Sequence, residues 1–246
     1  MSRERLIFIS GWATGSSCWE LVINKIDRPV SCCYVKWWEC LNGAAEENAL
    51  LRVLEREAGR VIIVGWSLGT LVALEGAILR PGSVKKLVLV SGTPRMTSTG
   101  NYPGVDSSVL RAMHARFSRT PRLVLEEFAR FCIGDGLGSS IEADELLGKF
   151  IDGAECINVE HLARGLRYLQ AKDLRNILPE IKVPVHLLHG ANDRIIPVEC
   201  ARFMQRTIPE ARLDQVQGGS HALLFTAPYR VAGLIRDVID AGFSSQ

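Results

Sequence analysis

A serine hydroxyl becomes a nucleophile near neutral pH only when a neutral imidazole can take its proton, so the serines and histidines of the chain are where its chemistry is to be sought. One serine stands apart. Gly65-Trp66-Ser67-Leu68-Gly69 has the pattern G-x-S-x-G, set between the apolar run Val61 to Val64, which reads as a strand, and Leu68 to Leu79, which reads as a helix stopped by Pro81 and Gly82. A sharp strand-to-helix turn strains the backbone of the serine and exposes its hydroxyl, while glycine on either side leaves room for neighbouring backbone. The helix start also aims N–H groups at the same point. The bare pattern occurs in ordinary tight turns as well, and it is the flanking elements that give it chemical meaning here.

Five histidines are available as the base. His114 and His161 fall in a helical stretch, His186 lies inside an apolar run, and His189 ends that run before Gly190, where it reads as a packed or hydrogen-bonded structural residue. His221 lies in Gly218-Gly219-Ser220-His221, just past the last strand-like run, where a loop reaches over the C-terminal edge of a sheet. Asp193, in Gly190-Ala191-Asn192-Asp193, follows the preceding strand and is placed to accept the imidazole Nδ1–H, fixing its tautomer and stabilising imidazolium; Asn-Asp is also a common turn after a strand. The order Ser, Asp, His is that of the α/β-hydrolase fold. An oxyanion needs two donors, expected from the backbone N–H of Leu68 and of Trp12 in Ser10-Gly11-Trp12. The rings of Trp12 and Trp66 either wall an acyl slot or fill the core.

These residues need a sheet edge to stand on, and the patterning supplies one. Leu6 to Ser10, Cys32 to Lys36, Val61 to Val64 and Lys86 to Val90 read as strands, alternating with helices over Ser17 to Ile26, Glu46 to Glu57 and Leu68 to Leu79. That rhythm predicts an α/β fold with a mostly parallel sheet and helices on both faces. Residues 95–172 turn helical, with Val124, Phe128 and Phe131 on one stripe and Leu162, Leu166 and Leu169 on another. The alternation then resumes with strands at Val185 to His189 and Arg212 to Val216 and helices at Val198 to Thr207 and Tyr229 to Ile239. We therefore expect a core of residues 1–94 and 173–246 interrupted by a helical lid insertion over 95–172.

Composition narrows the partners. In 246 residues, 29 basic against 27 acidic side chains leave a formal charge of +2, too little to single out a nucleic acid. Seven cysteines lack CxxC or other metal-ligand spacing, which fits reduced thiols in the cytoplasm and implies no metal. The N-terminal apolar run is too short for a signal peptide or a membrane span. No cofactor, nucleic-acid partner or membrane partner is expected.

With these residues in place, the chain resembles the carboxylesterases of biotin synthesis, α/β-hydrolases that demethylate pimeloyl-[acyl-carrier protein] methyl ester. The likeness spans nearly the whole chain and is densest in Ser10-Gly11-Trp12, Gly65-Trp66-Ser67-Leu68-Gly69 with Leu71-Val72-Ala73, Ser91-Gly92-Thr93-Pro94 and Ser220-His221-Ala222. The resemblance implies Ser67, Asp193 and His221 as triad, Trp12 and Leu68 as oxyanion and substrate contacts, and Phe128, Ala129, Arg130, Phe131 and Cys132 as a wall of the substrate slot. It also implies a deep apolar channel with an acyl-carrier protein at its mouth. Phe128 and Phe131 fit a channel wall or ordinary core packing equally. Two departures stand out: Ser10 replaces the usual His-Gly at the early loop, and Glu126 and Glu127 occupy part of the lid helix where the family carries arginines. Arg111, Arg116, Arg119 and Arg122 still form a stretch without acids, readable as a carrier contact or as a solvated face. The expected activity is ester hydrolysis through an acyl-serine. A short-chain carboxylesterase, an acyl thioesterase or a low-turnover ligand-binding protein on the same fold are the alternatives.

Overall fold

A computed structural model describes residues 4–41, 45–134, 141–155 and 157–241. Six strands, β1 (Arg5–Ile9), β2 (Ser31–Val35), β3 (Val61–Trp66), β4 (Val84–Val90), β5 (Val185–Gly190) and β6 (Ala211–Val216), form one sheet in the order β2-β1-β3-β4-β5-β6. Every pairing is parallel, so the mostly parallel sheet expected from the sequence is wholly parallel. All six residues of β3 are buried, as a strand covered on both faces requires. Helix α1 (Glu20–Ile23) packs on α10 (Pro228–Asp240), which lies against β4 and β5. Helix α3 (Leu68–Leu79) lies against β1, β3 and β4 beside α2 (Ala49–Arg56), and α8 (Val198–Thr207) against β5 and β6.

Local chemistry explains where elements depart from the periodicity. The helix expected over Ser17 to Ile26 is a 3₁₀ turn, Ser16–Trp19, followed by the single turn α1. Lys25 and Ile26 donate to carbonyls three residues back, which tightens and ends the helix before Pro29. Helix α2 starts at Ala49 rather than Glu46 because the Asn48 side chain accepts from Leu51 N–H at 3.2 Å and caps it.

Between β4 and β5 lie α4 (Ser107–Phe117), α5 (Pro121–Ile133), α6 (Ile141–Glu155) and α7 (Val159–Ala171). This segment leaves and rejoins the sheet at one point. Leu174 N–H donates to Pro94 O at 2.9 Å, Arg95 and Asp173 form an antiparallel bridge, and the Asp173 carboxylate is held between the Arg95 and Arg175 guanidiniums. Hydrogen bonds from Arg175 and Arg95 outweigh the opposing effect of partial burial and hold the Asp173 carboxyl below the ordinary carboxylate range. A short helix α9 (Leu223–Thr226) follows β6. Among the described residues no helix is long and apolar enough to cross a membrane.

A carboxyl whose folded pKa is depressed adds stability above its unfolded pKa and loses it as pH falls through the folded value. Asp173→Asn should therefore lower stability at pH 7 by about 1 kcal/mol, seen as a lower Tm, and the gap to wild type should shrink as pH drops below about 4.

Candidate active site

Ser67 is the residue between β3 and α3, with φ 53° and ψ −118°, a conformation costing about 1–3 kcal/mol for a residue with a side chain. The strain has a visible cause. A Cβ on Gly65 would stand 2.7 Å from Gly69 O, and one on Gly69 would overlap Ile9 O of β1. The turn can thus press the start of α3 against the end of β1 and lift the serine clear of the sheet. Ser67 N–H donates to Val90 O at 3.0 Å, and Thr70 Oγ1 donates to Ser67 O at 2.6 Å, locking the strained unit from both sides. It stands where the sheet order diverges from β1 toward β2 on one side and β3 on the other, the crevice in which parallel sheets bind ligands.

His221 Nε2 lies 2.9 Å from Ser67 Oγ, and His221 Nδ1 lies 2.8 Å from Asp193 Oδ2. A carboxylate only accepts, so Nδ1 carries the proton and Nε2 of the neutral ring is left to accept from the serine hydroxyl. The imidazole is fully buried and fixed by its backbone: the Trp66 indole donates to His221 O at 3.1 Å, and Ala222 N–H donates to Cys132 O at 3.0 Å. Asp193 Oδ1 accepts from Ile195 N–H and Ile196 N–H, both at 2.8 Å. Burial alone would push the Asp193 carboxyl up, but the His221 and His189 imidazoles outweigh it and hold it well below the usual carboxylate range. This hydrogen-bond chain can carry a proton from Ser67 to His221 while Asp193 keeps its charge.

The early loop lies directly against the serine, since a Cβ on Gly11 would stand 3.1 Å from Ser67 Cβ. Ser10, where an imidazole brace was missing, braces the loop with its hydroxyl: Oγ donates to Thr14 O at 2.8 Å, Thr14 Oγ1 donates to Gly11 O at 2.9 Å, and the Trp37 indole donates to Thr14 O at 3.2 Å. The Trp12 indole donates to Leu162 O of α7 at 2.8 Å, tying the loop to the helices above.

Beside Ser67 is a cavity of about 420 Å³, within the usual range for a small-molecule site. Trp12 stands in its wall, with Leu110 and Met113 from α4, Phe128 and Phe131 from α5, and Leu166 and Leu169 from α7. Of the slot wall expected over Phe128 to Cys132, only these two phenylalanines face the cavity. Ala129 and Cys132 are turned into the core with no exposure, and Arg130 faces solvent, because a helix presents one face to a cavity and residues between the stripe positions point away. Trp66 belongs to the core, packed against His221, Phe150 and Phe225. Periodicity alone did not identify Met96, Val105, Arg194 and Ile195, which reach the cavity from loops.

Two of the four arginines of the basic stretch are ion-paired among the helices that carry them. Both guanidinium nitrogens of Arg116 donate to Glu127 at 2.8 Å, and Arg122 pairs with Glu126 at 3.1 Å. Arg111 donates to Ser107 Oγ at 2.9 Å, and Arg119 is exposed. Arg116 and Glu127 are about half exposed and line the cavity at its solvent side.

The model of the alpha/beta hydrolase family matches residues 6–234. A pimeloyl-[acyl-carrier protein] methyl ester esterase from Nitrosomonas europaea is 31% identical over 233 residues, covering 91% of this chain and 90% of that protein. The protein of the same name from Pseudoalteromonas atlantica is 26% identical over 220 residues, covering 84% and 83%. Among solved structures, an esterase from Exiguobacterium antarcticum superposes with a TM-score of 0.85 at 19% identity, covering 97% of this chain and 92% of that one, a likeness of fold.

The Asp193 carboxyl is held well below the ordinary carboxylate range, and an imidazolium at His221 cannot accept the serine proton. Ester turnover should therefore drop on the acid side along a limb of slope one down to about pH 4. A pH profile of kcat/KM with slope two would place a second titrating group in the site.

Proposed function

We propose, from the premise that the chain belongs to the alpha/beta hydrolase family, that this carboxylic ester hydrolase works through an acyl-serine intermediate and cleaves the methyl ester of a pimeloyl chain held on acyl-carrier protein, a step of biotin synthesis. The observation that carries the mechanism is the unbroken hydrogen-bond chain from Ser67 through His221 to Asp193 beside an apolar cavity. Ser67 Oγ attacks the ester carbonyl as His221 Nε2 takes its proton. The tetrahedral oxyanion forms toward the N–H groups of Leu68 and Trp12. Collapse expels the alcohol as His221 returns the proton to it, and water, activated by the same imidazole, then releases the acid. In this role Asp193 keeps the ring in its Nδ1–H tautomer and stabilises the imidazolium.

The substrate reading draws on the names of the two relatives and on the shape of the cavity. A straight acyl chain lies along Leu110, Phe128 and Leu166, with its ester at Ser67 and its carrier end at the rim by Arg116. The pairing of Arg116 and Arg122 with Glu127 and Glu126 favours a second reading, a free monoester taken up without a carrier, because those cations are already satisfied.

A fluorophosphonate should label the wild type and leave Ser67→Ala unlabelled; labelling of both would put the nucleophile elsewhere. Dicarboxylic monomethyl esters of graded length, free and carrier-linked, should be turned over with an optimum near the pimeloyl length. The gene should also rescue a biotin auxotroph lacking its methyl-ester esterase. Failure of both, with good turnover of unrelated esters, would sink the biotin role and leave the hydrolase standing. Leu166→Phe, which fills the cavity, should cut kcat/KM for the longer esters roughly tenfold more than for the shortest.

A further inference from the structure

Two histidines face the Asp193 carboxylate. His189 closes β5 with 1% of its surface exposed, and its Nε2 lies 2.9 Å from Ile196 O and 3.3 Å from Asp193 Oδ2. A peptide carbonyl cannot donate, and the carboxylate is ionised, so both neighbours are acceptors and Nε2 must carry a proton. The nearer acceptor, Ile196 O, belongs to the residue whose N–H holds Asp193 Oδ1. The contacts close into a ring: His189 to Ile196 O, Ile196 N–H to Oδ1, and Oδ2 back to His189. With Ile195 N–H and His221 Nδ1–H, the carboxylate faces four N–H groups, two at each oxygen. That count equals its acceptor capacity.

We infer that His189 is a positioning residue of this site: by sharing its Nε2 proton between Ile196 O and Asp193 Oδ2 it fixes the plane of the carboxylate and sets how strongly that carboxylate holds the His221 imidazolium. The inference rests on Ser67, His221 and Asp193 being the reacting set proposed above. An oxygen that already faces a second N–H attracts an imidazolium less than an unshared one. His189 therefore tempers the hold of Asp193 on His221 while preventing the carboxylate from turning.

Other groups near this carboxylate do not titrate in the same range. Cys132 on α5 and Cys200 on α8 are buried, and burial pushes both thiols up, so they stay neutral. Arg194, next in the chain, is exposed with its guanidinium 5.5 Å from the Phe131 ring centroid, and its charge is constant.

The test follows the rate of Ser67 labelling by a fluorophosphonate against pH, which needs no knowledge of the natural ester. In His189→Leu the acid limb should move up by about one pH unit, and the plateau rate should fall about tenfold. His189→Gln, whose amide N–H reaches the same place, should return both toward wild type, whereas a role in packing alone would leave the limb where it was. Nitrogen-15 spectra of the wild type should show His189 as the Nε2–H tautomer, a result that requires no variant to fold. An Nδ1–H tautomer, or an unmoved acid limb in His189→Leu, would overturn the inference. Wild-type protein that is not labelled at Ser67 would instead remove the mechanistic reading beneath it.

Discussion

With no side chain at Gly65 or Gly69, the start of α3 can lie on the carbonyl of Ile9 at the end of β1, and this close approach is what the site is built around. It forces Ser67 to a positive φ, raises its hydroxyl from the sheet and sets it against Gly11 of the early loop. Each later feature presupposes that contact. Trp12 enters the cavity wall because its loop leaves β1 at the same point, and His221 can reach the serine because the parallel strands β3 and β6 both end at one sheet edge. A methyl group at residue 69 would part β1 from α3 and move the serine away from both partners. The strain at Ser67 is affordable because β3 and β4 are buried nearly throughout, and Val90 O and Thr70 hold the turn from either side.

Much of this was legible in the residues because it depends on backbone. Glycine spacing, a strand before and a helix after are local properties, and they locate Ser67 without knowledge of tertiary contacts. Asp193 and His221 were legible through chain order, since loops after successive parallel strands must emerge at one edge. Periodicity was less informative where two structures share one pattern. The stripe Phe128 and Phe131 suits a cavity wall and a core alike, and only the packing of α5 against its neighbours separates those residues from Ala129 and Cys132. The short helix after β1 failed for a different reason: its end is set by i−3 hydrogen bonds near Pro29, which apolar spacing does not encode. His189 read as structural because its partner, the segment through Ile196, is a loop whose path the sequence does not disclose.

Charge in the helical segment shows how a linear reading can mislead. Along the chain, Arg111, Arg116, Arg119 and Arg122 form a run without acids, and Glu126 and Glu127 follow as a separate feature. Folding α4 against α5 brings the two together, so Arg116 is held in a bidentate pair with Glu127 instead of standing open at the rim. Exposed pairs of this kind add little to stability, and their larger effect is on recognition. An anionic carrier would have to displace Glu127 from Arg116 before gaining that contact, whereas a free ester would pass an apolar wall with Phe131 and Met113 at hand.

The same contrast separates what is fixed from what can vary in this molecule. Ser67 is held by Val90 O and Thr70, the His221 backbone by the Trp66 indole and Cys132 O, and Asp193 by the N–H groups of Ile195 and Ile196. The cavity is walled by side chains from α4, α5 and α7, so its length and rim respond to individual substitutions. On the function proposed above, reaction type resides in the sheet and acyl preference in the helices. A residue such as His189 falls on the sheet side of that division: replacing it should change how the reaction depends on protons and leave the ranking of esters as it was.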